Sequence, residues 1–390
     1  MAVGTRIRLS LIGALAALLA GGVLPATASA APEPTPAAGA ARWTAAKLPS
    51  GNTVLTGSTR PDARTTWAAG FRVVPGSDGT VGFDPVLYAR DDRRDGKWTE
   101  VPTAPAGTDR INAVAATSAR DGWLVGDSGR GGGPVMTQHW NGRSWQLEPA
   151  PMPVDSVGGG LLGIAALTPN NAWAAGWSQG PDGHVGIVQH WNGRSWRQVE
   201  LPAPFRSWGL GAIAAAGPDD VWAVGNGYSE DDRPVALHFD GRGWSVVPVP
   251  AFGGLYGEFN DVVVKGPRDV WAVGRVVLDE KDRGHALLMH WDGRAWTRVE
   301  APEGAGAVSG AASSPDGIVT VGRVSGGGEA AYALRVTGSR ATSLGFPESG
   351  AGTAYWSWKV STTGREVTVT GAFNYEKQQL PQPMVMTTRL

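Results

Sequence analysis

A seven-residue phrase, HWNGRSW, occupies residues 139–145 and returns unchanged at 190–196, with HFDGRGW at 238–244 and HWDGRAW at 290–296 as relatives. Their closing tryptophans, Trp145, Trp196, Trp244 and Trp296, recur at a period of about fifty residues. A unit of that size cannot bury an apolar face alone, so its neighbours must stack upon it. The chain is therefore an array of one repeated supersecondary unit.

Each unit reads as four short strands. In the fourth unit these are LGAIAAAG (210–217), VWAVG (221–225), VALHFDG (235–241) and GWSVVPVP (243–250), with a tight turn at Pro218-Asp219-Asp220 after the first. The Asn-Gly and Asp-Gly steps at 141–142, 192–193, 240–241 and 292–293 are hairpin signals that call for a type I′ turn. The second strand has the cleanest register: TWAAG (66–70), GWLVG (122–126), AWAAG (172–176), VWAVG (221–225), VWAVG (270–274), IVTVG (318–322) and VTVTG (367–371). That makes seven units. Their first strands are rich in alanine, glycine and serine, as expected where strands crowd around an axis.

The ends of the array decide between a line and a ring. The seventh unit supplies a first strand near 356–361, a second at 367–371 and a third, PMVMTTRL, after which no fourth follows. RWTAAKLP (42–49) matches the missing strand, as RSWRQVELP (194–202) does in the third unit. An N-terminal strand completing the last blade closes the ring and removes both sheet edges, whereas a solenoid needs polar caps. The expected fold is all-β: a seven-bladed β-propeller of four-stranded blades over residues 42–390.

On this repeat pattern the chain resembles the exported Kelch-like or galactose-oxidase-type propellers of high-GC, actinobacterial-type bacteria. True Kelch units carry a Gly-Gly pair on the second strand, where this chain has Trp-Ala-Val-Gly. The Gly-His and Trp-Asp landmarks of WD repeats do not recur from unit to unit: Gly-His stands only at 183–184 and 284–285, and Trp-Asp only at 291–292. The aspartate position of the sialidase Asp-box is taken by Trp140 or Trp191. Galactose oxidase builds its radical from a tyrosine crosslinked to cysteine, and this chain has no cysteine. The resemblance thus implies a propeller without that cofactor. Phe71-Arg72-Val73-Val74-Pro75 is similar to the sialidase Phe-Arg-Ile-Pro signature, with one residue too many.

Upstream of the array, Arg6 and Arg8, an apolar run from Leu9 to Leu24 and Ala28-Ser29-Ala30 have the three-part pattern of a secretory signal peptide, cleaved after Ala30. No twin arginine precedes the run, and no cysteine follows it to take a lipid anchor. Residues 31–41, APEPTPAAGAA, form a Pro/Ala linker expected to be disordered. Removing two arginines from 34 basic residues leaves 32 against 35 acidic ones. That balance offers no footprint for nucleic acid or an anionic membrane. The expected product is a secreted monomer without a membrane span. The lack of cysteine also excludes thiol catalysis and thiolate metal sites.

His139, His190, His238 and His290 share one repeat position on four blades, which suits packing beside the hairpin aromatic rather than a shared metal. His184 and His285 share another, in the loop before the third strand. The tryptophans of second strands (Trp123, Trp173, Trp222, Trp271) are expected between blades, and those of fourth strands (Trp98, Trp145, Trp196, Trp244, Trp296) at the rim. The expectation is no metal and no cofactor.

Function must then reside where the repeat breaks. The second-to-third and blade-to-blade loops share one face, and insertions map to such a face. They carry Trp177, Trp208, Tyr228, Tyr256 and Tyr355, and the acidic clusters Glu230-Asp231-Asp232 and Asp279-Glu280. Aromatic faces beside carboxylates suit sugars, and loops on a rigid scaffold carry function. The candidate ligand-binding set is Trp177, Trp208, Tyr228, Glu230, Asp231, Asp232, Tyr256, Asp279 and Glu280. The leading expectation is a non-catalytic propeller binding an extracellular glycan or protein. A polysaccharide hydrolase or lyase with carboxylates at the axial mouth is the alternative, and a structural envelope role a third.

Overall fold

The computed structural model describes residues 41–49, 51–76, 80–92, 96–105, 109–128, 133–181, 183–202, 207–227, 233–279, 282, 284–325, 330–347, 353–375 and 380–390, with backbone alone at 207, 208, 353, 357, 358 and 375. Seven antiparallel blades follow one another. Blade 7 ends the chain and takes its outermost strand from the N-terminal segment, β1 (Thr44–Ala45). Blade 1 is Thr53–Thr59, Thr65–Pro75, Val81–Asp91 and Trp98–Glu100 (β2–β5). Blade 2 is Arg110–Ser118, Asp121–Asp127, Val135–Trp140 and Trp145–Leu147 (β6–β9). Blade 3 is Gly158–Thr168, Asn171–Gly180, Gly183–Trp191 and Trp196–Gln198 (β10–β13). Blade 4 is Ser207–Gly217, Asp220–Gly227, Pro234–Phe239 and Trp244–Val246 (β14–β17). Blade 5 is Tyr256–Gly266, Asp269–Val277, His285–Trp291 and Trp296–Arg298 (β18–β21). Blade 6 is Ala305–Ser314, Gly317–Val324, Ala331–Thr337 and Arg340–Ser343 (β22–β25). Blade 7 is Thr353–Thr363, Glu366–Tyr375 and Gln382–Arg389 (β26–β28), in the order β1-β28-β27-β26.

The expected closure is present, but it is shorter than the eight-residue match. Only Thr44↔Thr387 and Ala45↔Met386 pair as a ladder, extended by the Ala46 N–H to Val385 C=O at 2.9 Å. The fourth strands are equally abbreviated elsewhere, to three residues in blades 1 to 5. Short outer strands present little unpaired backbone for another chain to join.

The hairpin between third and fourth strands differs from the type I′ expectation. Positive φ falls only on the glycines (Gly142 88°, Gly193 89°, Gly241 85°, Gly293 94°) and not on the preceding Asn or Asp. The ladder stops at Trp140↔Trp145, so four residues span the turn rather than two. The Asn141 side chain instead accepts the N–H groups of Arg143 (2.9 Å) and Ser144 (3.1 Å), and Asn192, Asp240 and Asp292 do the same. These backbone donors hold the Asp240 and Asp292 carboxyls below the ordinary value.

The second-strand glycine has a cause that a single blade does not reveal. Every first strand carries a β-bulge at one level, between Leu55/Gly57, Ile111/Ala113, Leu161/Gly163, Leu210/Ala212, Phe259/Asp261, Val308/Gly310 and Ser357/Lys359. The bulge drives the first-strand backbone into the second. A Cβ on Gly70, Gly126, Gly176, Gly225, Gly274, Gly322 or Gly371 would meet a first-strand carbonyl oxygen at under 3.0 Å, so only glycine fits. The bulge also frees side chains to reach the next blade. Thr56 Oγ1 donates to the Ile111 carbonyl (2.8 Å), Asn112 Nδ2 to Leu161 (3.0 Å) and Asn260 Nδ2 to Val308 (2.9 Å).

Apolar burial is divided among seven clusters, one at each blade junction among the described residues. Tryptophans key four of these junctions. The second-strand Trp67, Trp123, Trp173 and Trp222 each meet the fourth-strand tryptophan of the next blade edge-on, at 5.4, 4.9, 5.7 and 5.8 Å between centroids. Such pairs contribute about 0.5–1.5 kcal/mol beyond area burial. The four repeat histidines stack on the second-strand tryptophan of their own blade: His139 on Trp123 (4.4 Å), His190 on Trp173 (4.0 Å), His238 on Trp222 (4.5 Å) and His290 on Trp271 (4.3 Å). His139, His238 and His290 bond Asp121, Asp220 and Asp269, whereas His190 bonds Asn171. Their role is therefore structural.

Blade 3 alone among these four has a neutral partner. Burial first, then Arg197, holds the His190 imidazole below its ordinary value of 6.5. A lowered histidine means the fold favours the neutral ring. Its contribution is complete above pH 6.5 and is lost as pH falls towards the folded value. Asn171→Asp is expected to raise the His190 titration midpoint, followed by NMR of the imidazole C–H signals. An unmoved midpoint would show that Asn171 does not set it.

Candidate functional site at the channel mouth

One end of the channel is ringed by the starts of the first strands and the ends of the second strands. Just beyond the repeated glycine, the second strands carry Phe71, Asp127, Trp177, Asn226, Arg275, Arg323 and Ala372. The residues before this level repeat from blade to blade; here they do not. Asp127, Trp177 and Asn226 of this set meet the first strand of the next blade.

Two polar networks form at this level. In blade 2, Arg110 pairs with Asp127 at 2.9 Å, and Asn112 Nδ2 donates to the other carboxylate oxygen at 2.9 Å. The Arg110 guanidinium also lies over the Phe83 ring of blade 1, 5.1 Å from its centroid. Asp127 pairs with Gly160 of blade 3, a contact that joins the two blades into one sheet. A Cβ at Gly160 would lie 3.0 Å from the Trp177 indole nitrogen and 3.1 Å from the Asp127 Cβ, so the bare backbone fits closely between them. Neighbouring Asp109 is pushed up to about 6 by burial and then by the Asp127 charge.

The second network spans blades 4 and 5. Glu258, 3% exposed, accepts from the Tyr256 hydroxyl and from Asn226 Nδ2 (3.3 Å), and pairs with Arg275 (3.2 Å). Asn226 also donates to the Tyr256 oxygen at 3.1 Å, and the guanidinium of Arg275 lies over the Tyr256 ring at 5.5 Å. Burial, followed by the Glu258 charge, raises the Tyr256 phenol far above its usual range, so it acts as a neutral donor. Every carboxylate oxygen in this network has a donor, which makes it a rigid, preorganised surface.

Directly after the bulges of the first strands, Lys359 of blade 7 reaches past blade 6 to Asp261 of blade 5 (2.8 Å) and to the Asn260 carbonyl (3.3 Å). Asp261 also accepts the Ala311 N–H of blade 6 at 3.0 Å. Three blades are thus tied at one carboxylate beneath the mouth. Among the described residues, no group of three or more His, Asp or Glu side chains could hold a metal ion.

The candidates named from sequence are distributed unevenly. Tyr256 lies inside the second network. Trp177 belongs to β11 rather than a loop and is 4% exposed, edge-on to His184 (5.0 Å) and against Gly209 of blade 4. Its ring is blade packing and offers no stacking shelf, because the strand continues past the repeated glycine and carries the indole into the junction. Trp208 stands on β14, where its backbone alone is described. Asp279 is exposed in the turn after β19, accepting the Asp282 N–H at 3.0 Å. Burial alone would raise Asp282, but the N–H groups of Leu278 and Gly284 bring its carboxyl below the ordinary value. Tyr228, Glu230, Asp231, Asp232 and Glu280 lie outside the described residues. Among the described candidates, the structure joins Tyr256 to no other. It joins Tyr256 to Asn226, Glu258 and Arg275 instead, which sequence reasoning missed. A column of unlike polar residues immediately after the repeated glycine is the signal that would have found Asp127, Asn226 and Arg275.

No protein-family model matches the sequence, and no curated protein matches it. Among solved structures the chain is similar to YCF48 bound to D1 peptide, at 15% identity and TM-score 0.57 over 91% of this chain and 99% of that one. It is also similar to a chain of the mitotic checkpoint complex (10%, 0.53, covering 93% and 98%). A third likeness is to a puromycin-hydrolyzing peptidase of Mycobacterium tuberculosis (14%, 0.52, covering 85% of this chain and 52% of that one). At these identities the likeness is one of fold: the chain is an all-β propeller.

Proposed function

We propose that this is a secreted, non-catalytic, monomeric propeller of the Kelch-like kind that binds an extracellular ligand at the channel mouth, and that the ligand is a polypeptide rather than a glycan. One observation carries the choice. Of the eight exposed large aliphatic residues among those described, Val154, Val157, Leu255 and Leu278 stand in second-to-third or blade-to-blade connections of the mouth face, and Val74 and Val185 on the strand ends that border them. Exposed aliphatic groups around a rim of paired charges suit apolar side chains with flanking polar backbone. Sugar recognition would call for open aromatic faces, and of the two aromatic candidates whose side chains are described, Trp177 is buried and the Tyr256 hydroxyl is bonded to Glu258. The peptide held by YCF48 is compatible with this choice at the level of fold alone.

The test is a binding panel of extracellular proteins and glycans against the parent, Arg275→Ala and Asn226→Ala. A protein ligand whose affinity falls at least about tenfold on either change supports the reading. Binding confined to glycans would refute it.

A second reading, polysaccharide hydrolysis or elimination, is favoured by Asp109. A carboxyl raised to about 6 beside the Asp127 charge is the kind of split that acid–base chemistry uses. Cleavage of a polysaccharide that declines above pH 6, and that Asp109→Asn abolishes, would promote this reading over the first.

A further inference from the structure

We propose that the turn Pro153–Ser156 is a preformed apolar knob that seats in a pocket on a partner protein, the pocket being apolar and bordered by basic side chains. The proposal rests on the ligand-binding reading above and identifies the element that makes the contact. The turn lies in the connection from blade 2 to blade 3, on the mouth face. Val154 is 89% exposed and Val157 69%, and Val185, 42% exposed, stands on the other side of the end of β11. An aliphatic side chain this fully in water contributes nothing to the fold.

The turn is nonetheless held in one shape. The Ser156 N–H bonds the Pro153 carbonyl at 3.1 Å, closing a four-residue turn with Val154 and Asp155 at its centre. Asp155 has φ 64°, and no other non-glycine described has a positive φ. Glycine is the usual residue at that place in such a turn, and aspartate there is strained. The Ser156 hydroxyl anchors the turn to blade 3 through Ser178 Oγ (2.7 Å) and the Gly158 carbonyl (3.1 Å), and the Val157 N–H bonds the Gln179 carbonyl at 2.9 Å. Strain retained at a rigid, apolar, solvent-facing tip indicates display rather than packing. A preorganised tip binds without an ordering cost.

Charge identifies the partner. The connection that carries the turn, residues 148–157, has Glu148 and Asp155 and no lysine or arginine. Exposed Asp155 sits beside Val154 itself, so basic groups around the receiving pocket would complement it. The same charge opposes docking on an anionic membrane.

The experiment immobilises the mature protein and exposes it to the secreted and cell-envelope proteins of the source organism, with each retained protein quantified. It compares the parent, Val154→Asp with Val157→Asp, and the rim control Leu147→Asp. Because the altered residues are exposed, the melting temperatures should agree within about a degree or two. The expected result is a protein retained by the parent and the control but reduced at least tenfold by the valine changes. A retained set that the valine changes leave intact overturns the knob, as does retention of nothing or only of further copies of this chain. A partner lost on Arg275→Ala but not on the valine changes overturns the knob while leaving recognition by the mouth standing.

Discussion

Deleting residues 42–49 is expected to lower stability by at least about 3–5 kcal/mol, the cost of losing a packed large side chain, and to make unfolding irreversible. The segment is short but serves two junctions. Trp43 meets Phe346 edge-on at 4.9 Å, donates to the Leu344 carbonyl and packs on the cluster between blades 6 and 7. Ala46 and Leu48 pack on the cluster between blades 7 and 1. Without them the outer edge of β28 is exposed and the ring has a seam. The ion pairs of Arg60 and Arg90 with Glu366 cross that seam, but pairs this accessible contribute too little to hold it. Thermal melts with light scattering provide the measurement. A chain that starts at Ala41 should melt like the longer one, whereas one starting at Ser50 should melt lower and scatter. Equal melting of the two would refute strand closure as the source of ring stability.

Trp222→Ala is the second large effect expected, a loss of roughly 3–5 kcal/mol. Trp222 is 1% exposed and ties two blades. It stacks on His238, meets Trp296 edge-on and Trp291 at a tilt (5.8 Å), and donates from Nε1 to Asp220 (3.0 Å). Removing it leaves a void between blades 4 and 5 and strips Asp220 of one of its two donors, His238 being the other. Urea unfolding with near-ultraviolet circular dichroism compares this with Trp222→Phe, which keeps a ring on His238 but loses the hydrogen bond and part of the indole's volume, and which should cost less than the alanine change. A loss below about 1 kcal/mol for Trp222→Ala would show that the junction repacks.

The hairpin shows where sequence pattern stopped short. Asn-Gly in a two-residue loop prescribes positive φ at both residues, but here the ladder ended one pair earlier. The asparagine then had two backbone N–H groups to satisfy and kept negative φ. Trp177 is similar: it breaks the repeat, which marked it as functional, but its neighbours Gly160 and Gly209 leave room for the indole at the junction. An aromatic beside a glycine of its own blade's first strand and another on the facing blade is filling space they vacate.

The sequence by itself determined the ring. Seven glycines, the second-strand tryptophans, the turn residues and the orphan N-terminal strand are each stated several times or complete a stated pattern, so blade number and closure were legible. The reason is physical: every blade faces the same neighbours and must answer the same packing problem with the same residues. The mouth was decided only in three dimensions. Tyr256, Asn226, Glu258 and Arg275 each occur once, and Asn226 and Glu258 are separated by 32 positions. Lys359 and Asp261 meet although they belong to blades 7 and 5. Hydrogen bonds and ion pairs act over a few ångströms of space whatever the chain separation. Only the bulged first strands, curved around one axis, bring these single-copy charges within reach of one another.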